Sequence, residues 1–218
     1  MSETTGASAQ AATSWHGTAG DPVVVLAHDW NGRLPWIEEL AETLAGEGFR
    51  VAVPDFFEGR TTTDDDEAGA LLAERYDDLD GAYRILSEAI GEARAEGSER
   101  AAVVGFSMGS TLALGYAAHG ALEAVVAYYG AAMPGTQTGP RTPVLFQLAE
   151  TDDWSGREAP EDYRARLSGE GYDDVELRHY AGSVHGFQNA QIAKRYNADA
   201  SAEAWESTVA FLREHLLG

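Results

Sequence analysis

The chain has 218 residues, 44% of them hydrophobic, no cysteine and a formal net charge of −21. That length suits a single α/β domain with a substantial core, and the lack of thiols excludes a disulfide framework, a thiolate nucleophile and a cysteine-ligated metal. A surface this acidic repels nucleic acid and anionic membranes, so neither is an expected partner.

Lys194 is the only lysine among fifteen basic residues, a composition that fits either adaptation to high salt or a codon bias toward Arg, Ala, Gly and Asp. Met1 to Gln10 carry an acid where a secretory leader needs positive charge, and no apolar segment follows. No stretch is long and uncharged enough to span a bilayer, so a soluble cytoplasmic protein is expected, a monomer or small homo-oligomer.

Residues 1–20 are small and polar and read as a flexible tail, ending in a short edge strand at most. One domain is expected from 21 to 218. Val23-Val-Val-Leu-Ala27 is a β-branched run of the kind found in strands covered on both faces. Trp36, Ile37, Leu40, Ala41 and Leu44 then recur at helical spacing, and Gly46 and Gly48 end that helix. Arg50 to Pro54 forms the next strand. The acidic excursion from Asp55 to about Tyr76, with Asp64-Asp-Asp-Glu67, reads as a solvated surface loop. Leu79, Tyr83, Leu86 and Ile90 mark a helix running to Gly97.

Ala101 to Val104 predicts a buried strand and Thr111 to Ala118 a helix, so Gly105-Phe-Ser-Met-Gly109 must turn strand into helix within a few residues. That is a nucleophile elbow, G-x-S-x-G. Its glycines remove Cβ atoms that would collide in so sharp a reversal, and the serine is forced into strained backbone geometry. Strands at Ala124–Tyr129, Val144–Leu148 and Val175–Tyr180 follow, with a helix from Pro160 to Gly169 and a closing helix lined by Trp205, Val209, Leu212 and Leu216. The alternation predicts a mostly parallel sheet with helices on both faces, and ligands then bind beyond the carboxyl ends of the strands.

A serine hydroxyl needs a base within hydrogen-bond reach, and the base needs a carboxylate to hold its tautomer. Of six histidines, His185 alone follows both the serine and the last strand on a top loop, Ala181-Gly-Ser-Val-His-Gly-Phe187. The loop after the fifth of these strands, Glu150-Thr-Asp-Asp-Trp154, offers three carboxylates that composition does not separate. Serine, acid and histidine in this order match the α/β-hydrolases.

Val24 to Gly32, Val51 to Phe57, Gly105 to Gly109, Phe146 to Asp152 and Tyr180 to Phe187 resemble successive blocks of the dienelactone hydrolase family. The resemblance implies an α/β-hydrolase fold, a three-layer sandwich without a cap domain. It makes Ser107, Asp152 and His185 the triad, with Asp153 the rival acid, and the N–H groups of Met108 and Trp30 the oxyanion hole. Asp29 falls where the family carries a glutamate that controls its nucleophile, and Asn189 and Arg60 fall at or near arginines that bind a substrate carboxylate. Founding members use cysteine where this chain has Ser107. Phe57, Trp154 and Phe187, with Trp30, Tyr129 and Met133, are further candidates for pocket contact. The expected activity is hydrolysis of small esters or lactones without metal or cofactor. A binding module on the same scaffold, or acyl transfer by the same residues, are the alternatives.

Overall fold

A computed structural model describes residues 13–133, 135–136, 142–152 and 157–218. Among these residues seven strands form one sheet: β1 (Ser14–His16), β2 (Val23–Ala27), β3 (Arg50–Val53), β4 (Ala101–Phe106), β5 (Ala124–Tyr128), β6 (Val144–Thr151) and β7 (Val175–Val184). Their order is β1-β3-β2-β4-β5-β6-β7. Of these seven strands β1 is the antiparallel one, pairing Trp15 with Ala52; the other neighbours are parallel. The sheet thus starts within the stretch read as a tail, at its short edge strand.

Among the described residues six helices cover the sheet: α1 (Pro35–Ala45), α2 (Asp65–Asp77), α3 (Leu79–Ala95), α4 (Met108–Ala117), α5 (Pro160–Gly169) and α6 (Ala198–Leu216). Alternate residues of a strand face opposite layers. Val23, Val25 and Ala27 accordingly pack in one core with Leu86 and Ile90 of α3, Leu112 and Ala113 of α4 and Tyr163 of α5. Val24 and Leu26 pack in the other with Ile37 and Leu44 of α1 and Leu212 of α6. No helix among the described residues is long and apolar enough to cross a membrane.

The acidic run is a correction to the sequence reading. Asp64 caps α2, its carboxylate accepting from the N–H groups of Asp66 and Glu67, and Asp65, Asp66 and Glu67 occupy the first turn. Negative charge there is favoured by the exposed N–H groups and the helix dipole, so the acids begin a helix instead of filling a loop.

The chain runs from β2 outward to β3 and then returns to place β4 on the other side of β2. The loops leaving β2 and β4 therefore diverge at their carboxyl ends and open a crevice there. His28 follows β2 and Ser107 follows β4, so the elbow stands at this switch point.

Candidate active site

Ser107 is the residue between β4 and α4, with φ +53° and ψ −109°. This is left-handed backbone that a side chain adopts only under strain. Both glycines of the elbow are required by close approach. A Cβ on Gly105 would overlap the backbone of Gly109 and Ser110, and one on Gly109 would overlap the carbonyls of Ala27 and His28. The helix can therefore start directly against the ends of β2 and β4. Ser107 N–H donates to Tyr128 O at 3.0 Å, while Ser110 Oγ lies 2.7 Å from Gly105 O and 2.9 Å from Tyr128 O.

His185 Nε2 lies 3.0 Å from Ser107 Oγ, and His185 Nδ1 lies 3.0 Å from Asp152 Oδ2. A carboxylate can only accept, so Nδ1 carries the proton and Nε2 is left to accept from the serine hydroxyl. Strand pairing positions these two loops. Ala149 faces Tyr180 and Thr151 faces Val184, so β7 spends Ala181, Gly182 and Ser183 opposite the single Glu150. The bulge is held by Glu150 Oε2, which accepts from Gly182 N–H at 2.6 Å, and by Ser183 Oγ, which donates to Tyr180 O at 2.6 Å. Glu150, one of the three carboxylates after the strand, is thereby committed to the sheet. Asp153 and Trp154 lie outside the described residues.

Met108 is the first residue of α4, so its N–H is one of those with no acceptor within the helix. The second expected donor, Trp30, sits on a loop tied down at several points. His28 Nδ1–H donates to Asp29 O at 2.7 Å and its Nε2 accepts from Phe56 N–H at 3.1 Å. Complete burial holds His28 down at about 4, opposed by that carbonyl and by Asp55, so the ring is neutral. Asn31 Nδ2 donates to Thr62 O at 2.9 Å, and the Arg195 guanidinium lies 5.3 Å from the centre of the Trp30 ring.

Asp29, 3% exposed, accepts from Asn31 N–H at 2.9 Å and from Asn189 Nδ2 at 2.8 Å. Burial pushes its carboxyl up to about 6, against these two hydrogen bonds and the charges of His185 and Arg195. Asn189 is 1% exposed. The pairing of these two residues, 160 positions apart, carries no signal in a single sequence.

Two candidates for pocket contact are buried. Phe57 is 1% exposed, with the His28 ring 5.0 Å away, and Phe187 is fully buried against Tyr129 and Tyr180. Each is a core side chain that happens to follow a strand. Tyr129 is also buried; at φ +34° its ring meets His185 edge-on with centroids 5.0 Å apart, so it is a wall behind the histidine. Arg60 points to Glu74, 2.7 Å away, and donates to Phe57 O. A cavity of about 260 Å³ opens beside Asp152, walled by Ala131, Leu148 and Pro160 with Arg157 and His179. Among the described residues no group of His, Asp and Glu is arranged to hold a metal.

The parallel sheet, the strained serine turn and the histidine and aspartate loops at the strand ends define an α/β-hydrolase. The dienelactone hydrolase family model matches residues 8–216, and the chain belongs to that family. It is 30% identical over 210 residues to Protein usf of Aquifex pyrophilus, covering 90% of each chain. It is 30% identical over 156 residues to Carboxymethylenebutenolidase 1 of Cupriavidus pinatubonensis, covering 65% of this chain and 66% of that one. In structure it resembles a dienelactone hydrolase-like promiscuous phosphotriesterase from metagenomic libraries, with TM-score 0.78, 20% identity and coverage of 93% and 92%. It also resembles carboxyl esterase 2 of the fungus Tuber melanosporum, with TM-score 0.67, 15% identity and coverage of 94% and 82%.

Proposed function

We propose that the protein hydrolyses small carboxylic esters or lactones through an acyl-enzyme on Ser107. The observation that carries this reading is the single imidazole of His185 in contact with both Ser107 Oγ and Asp152. Two relatives named carboxymethylenebutenolidase and a structural neighbour that is a carboxyl esterase support the reaction class.

Ser107 Oγ attacks the carbonyl carbon as its proton passes to His185 Nε2. The new oxyanion is received by the N–H groups of Met108 and Trp30, and Asp152 stabilises the imidazolium. Collapse expels the alcohol, which takes the proton from His185; in a lactone the alcohol stays tethered to the acyl group. Water then gives a proton to His185 and attacks the acyl carbon. Ser107 recovers its proton as the carboxylate leaves.

Neutral acyl groups fit better than anionic ones. Asn189 is committed to Asp29 and Arg60 to Glu74, so neither position extends a cation toward a substrate carboxylate, and the net charge of −21 disfavours an anion. The described residues between β5 and β6 hold no helix, in keeping with an open site for small substrates.

The test is Ser107→Ala assayed with p-nitrophenyl acetate, with fluorophosphonate labelling of the wild type alongside. Loss of a triad nucleophile costs about 10⁴- to 10⁶-fold in turnover. A variant that keeps a tenth of the activity, or a wild type that resists labelling, would overturn the reading.

A further inference from the structure

The oxyanion donor Trp30 and the base His185 stand on loops that leave β2 and β7, at opposite halves of the sheet. A reaction that uses both needs their separation held to a fraction of an ångström. Sheet geometry alone cannot do this, because each group lies beyond the last paired residue of its strand. Something must span the gap.

Asp29 and Asn189 span it. Asp29 immediately precedes Trp30, and Asn189 lies four residues beyond His185. Asp29 Oδ1 accepts from Asn31 N–H at 2.9 Å, which folds the first loop around Trp30. Asp29 Oδ2 accepts from Asn189 Nδ2 at 2.8 Å. Asn189 Oδ1 accepts from Gln191 N–H at 3.1 Å, and Asn189 N–H donates to Gly186 O at 3.1 Å, which folds the second loop just past His185. The Gln191 contact also fixes the amide's orientation, since only Nδ2 is then left to donate to Asp29. Gln191 Oε1 accepts from Trp36 N–H at 2.9 Å, tying the same loop to the start of α1.

We propose that Asp29 and Asn189 form a buried clasp that sets the distance between the oxyanion donor of Trp30 and the imidazole of His185. Both are positioning residues. Their burial removes them from substrate, and the described bonds use each carboxylate oxygen and both ends of the amide. The inference rests on the reading of Ser107 and His185 as nucleophile and base.

The arrangement has a chemical mirror image that serves as its test. In Asp29→Asn the new amide meets Asn189 donor to donor; turning either amide sacrifices the acceptor of Asn31 N–H or of Gln191 N–H. In Asn189→Asp two carboxylates face each other away from water. In the double variant, Asp29→Asn with Asn189→Asp, the amide oxygen introduced at position 29 again accepts from Asn31 N–H. Its amide nitrogen donates to the carboxylate introduced at position 189, and that carboxylate still accepts from Gln191 N–H. Every bond is restored, with donor and acceptor exchanged across the clasp.

The experiment measures p-nitrophenyl acetate hydrolysis and amide hydrogen exchange on the wild type, both single variants and the exchanged pair. Each single variant is expected to lose about tenfold or more in kcat with KM within about threefold, since the interactions at stake act on the transition state, and the exchanged pair is expected to recover most of that loss. Exchange protection at Asn31 and Gln191 should fall in the single variants and return in the pair. Single variants with wild-type kcat, or a pair no better than Asp29→Asn alone, would overturn the clasp. If Asn189→Asp does not fold, Asp29→Asn against the exchanged pair still decides. A wild type that hydrolyses no ester would defeat the catalytic reading separately, because hydrogen exchange reports the clasp without turnover.

Discussion

Thr151 faces Val184 in the last register pair of β6 and β7, and the residues one step beyond them are Asp152 and His185. The contact between Asp152 and His185 is therefore an extension of strand pairing. Without the bulge opposite Glu150, regular register would bring Thr151 to Gly182 and Asp152 to Ser183, and the histidine would lie two residues out of place. Glu150 Oε2 is the acceptor that keeps the Gly182 N–H satisfied in the bulge. Glu150→Ala should loosen His185, lowering kcat on p-nitrophenyl acetate by about tenfold, with a loss of only about 1 kcal/mol or less in urea denaturation because both partners are exposed and water can replace the lost acceptor.

In the proposed mechanism Asp152 holds the Nδ1–H tautomer by charge as well as by geometry. Asparagine at this position can present its amide to Nδ1 and stabilise the opposite tautomer, which leaves Nε2 protonated and unable to accept from Ser107. Asp152→Asn is therefore expected to reduce kcat by about 10⁴-fold while leaving the thermal midpoint close to that of the wild type. Steady-state kinetics beside a melting curve checks both halves.

His28 and Asp29 oppose one another in acid. His28 titrates near 6.5 when unfolded and at about 4 in the fold, so the unfolded chain binds more protons between those values and stability from this group falls as the pH drops. Asp29 is raised from 3.8 to about 6, so the folded chain binds more protons there. Its contribution is full below 3.8 and is lost as the pH rises through 6. Over about pH 4 to 6 the two slopes have opposite sign. Asp29→Asn removes one of them, so its thermal midpoint should fall more steeply from about pH 6 to pH 4 than that of the wild type.

Gln147, fully buried on β6, fastens the sheet to α6. Its Nε2 lies 3.0 Å from Ala204 O, 2.8 Å from Ser207 Oγ and 3.0 Å from Thr208 Oγ1, and its Oε1 accepts from Tyr180 OH. Leucine would fill the space but leave the Tyr180 hydroxyl without this acceptor. Gln147→Leu should cost about 1–3 kcal/mol for each buried group left unpaired, read from the urea midpoint.

Much of this architecture was legible from the chain. The strand preceding Gly105 and the helix following Gly109 announced the elbow, and the order of Ser107, the acidic loop and His185 located the three loops that meet. What was missed has physical reasons. The run at Asp64 carried a helix-start signal, a capping aspartate before an acidic first turn, but it was outweighed by sheer charge. Phe57 and Phe187 follow strands, and their burial is set by packing that position along the chain does not announce. The Asp29 to Asn189 bond joins residues 160 positions apart that only the folded sheet brings together, and β7 continues past Tyr180 because the bulge breaks the alternation that would have revealed it.

The two borders of the sheet are guarded in different ways. On one side β1 lies antiparallel along β3, with the Arg50 guanidinium 4.6 Å from the centre of the Trp15 ring. Three residues from near the start of the chain thus occupy backbone groups that could otherwise template another strand. On the other side β7 presents Glu176, Arg178 and His179 to solvent, and charge of this kind discourages an approaching chain. Colloidal behaviour is thereby divided between a short N-terminal ribbon and a charged fringe, and neither border lies at the strand ends where the serine stands.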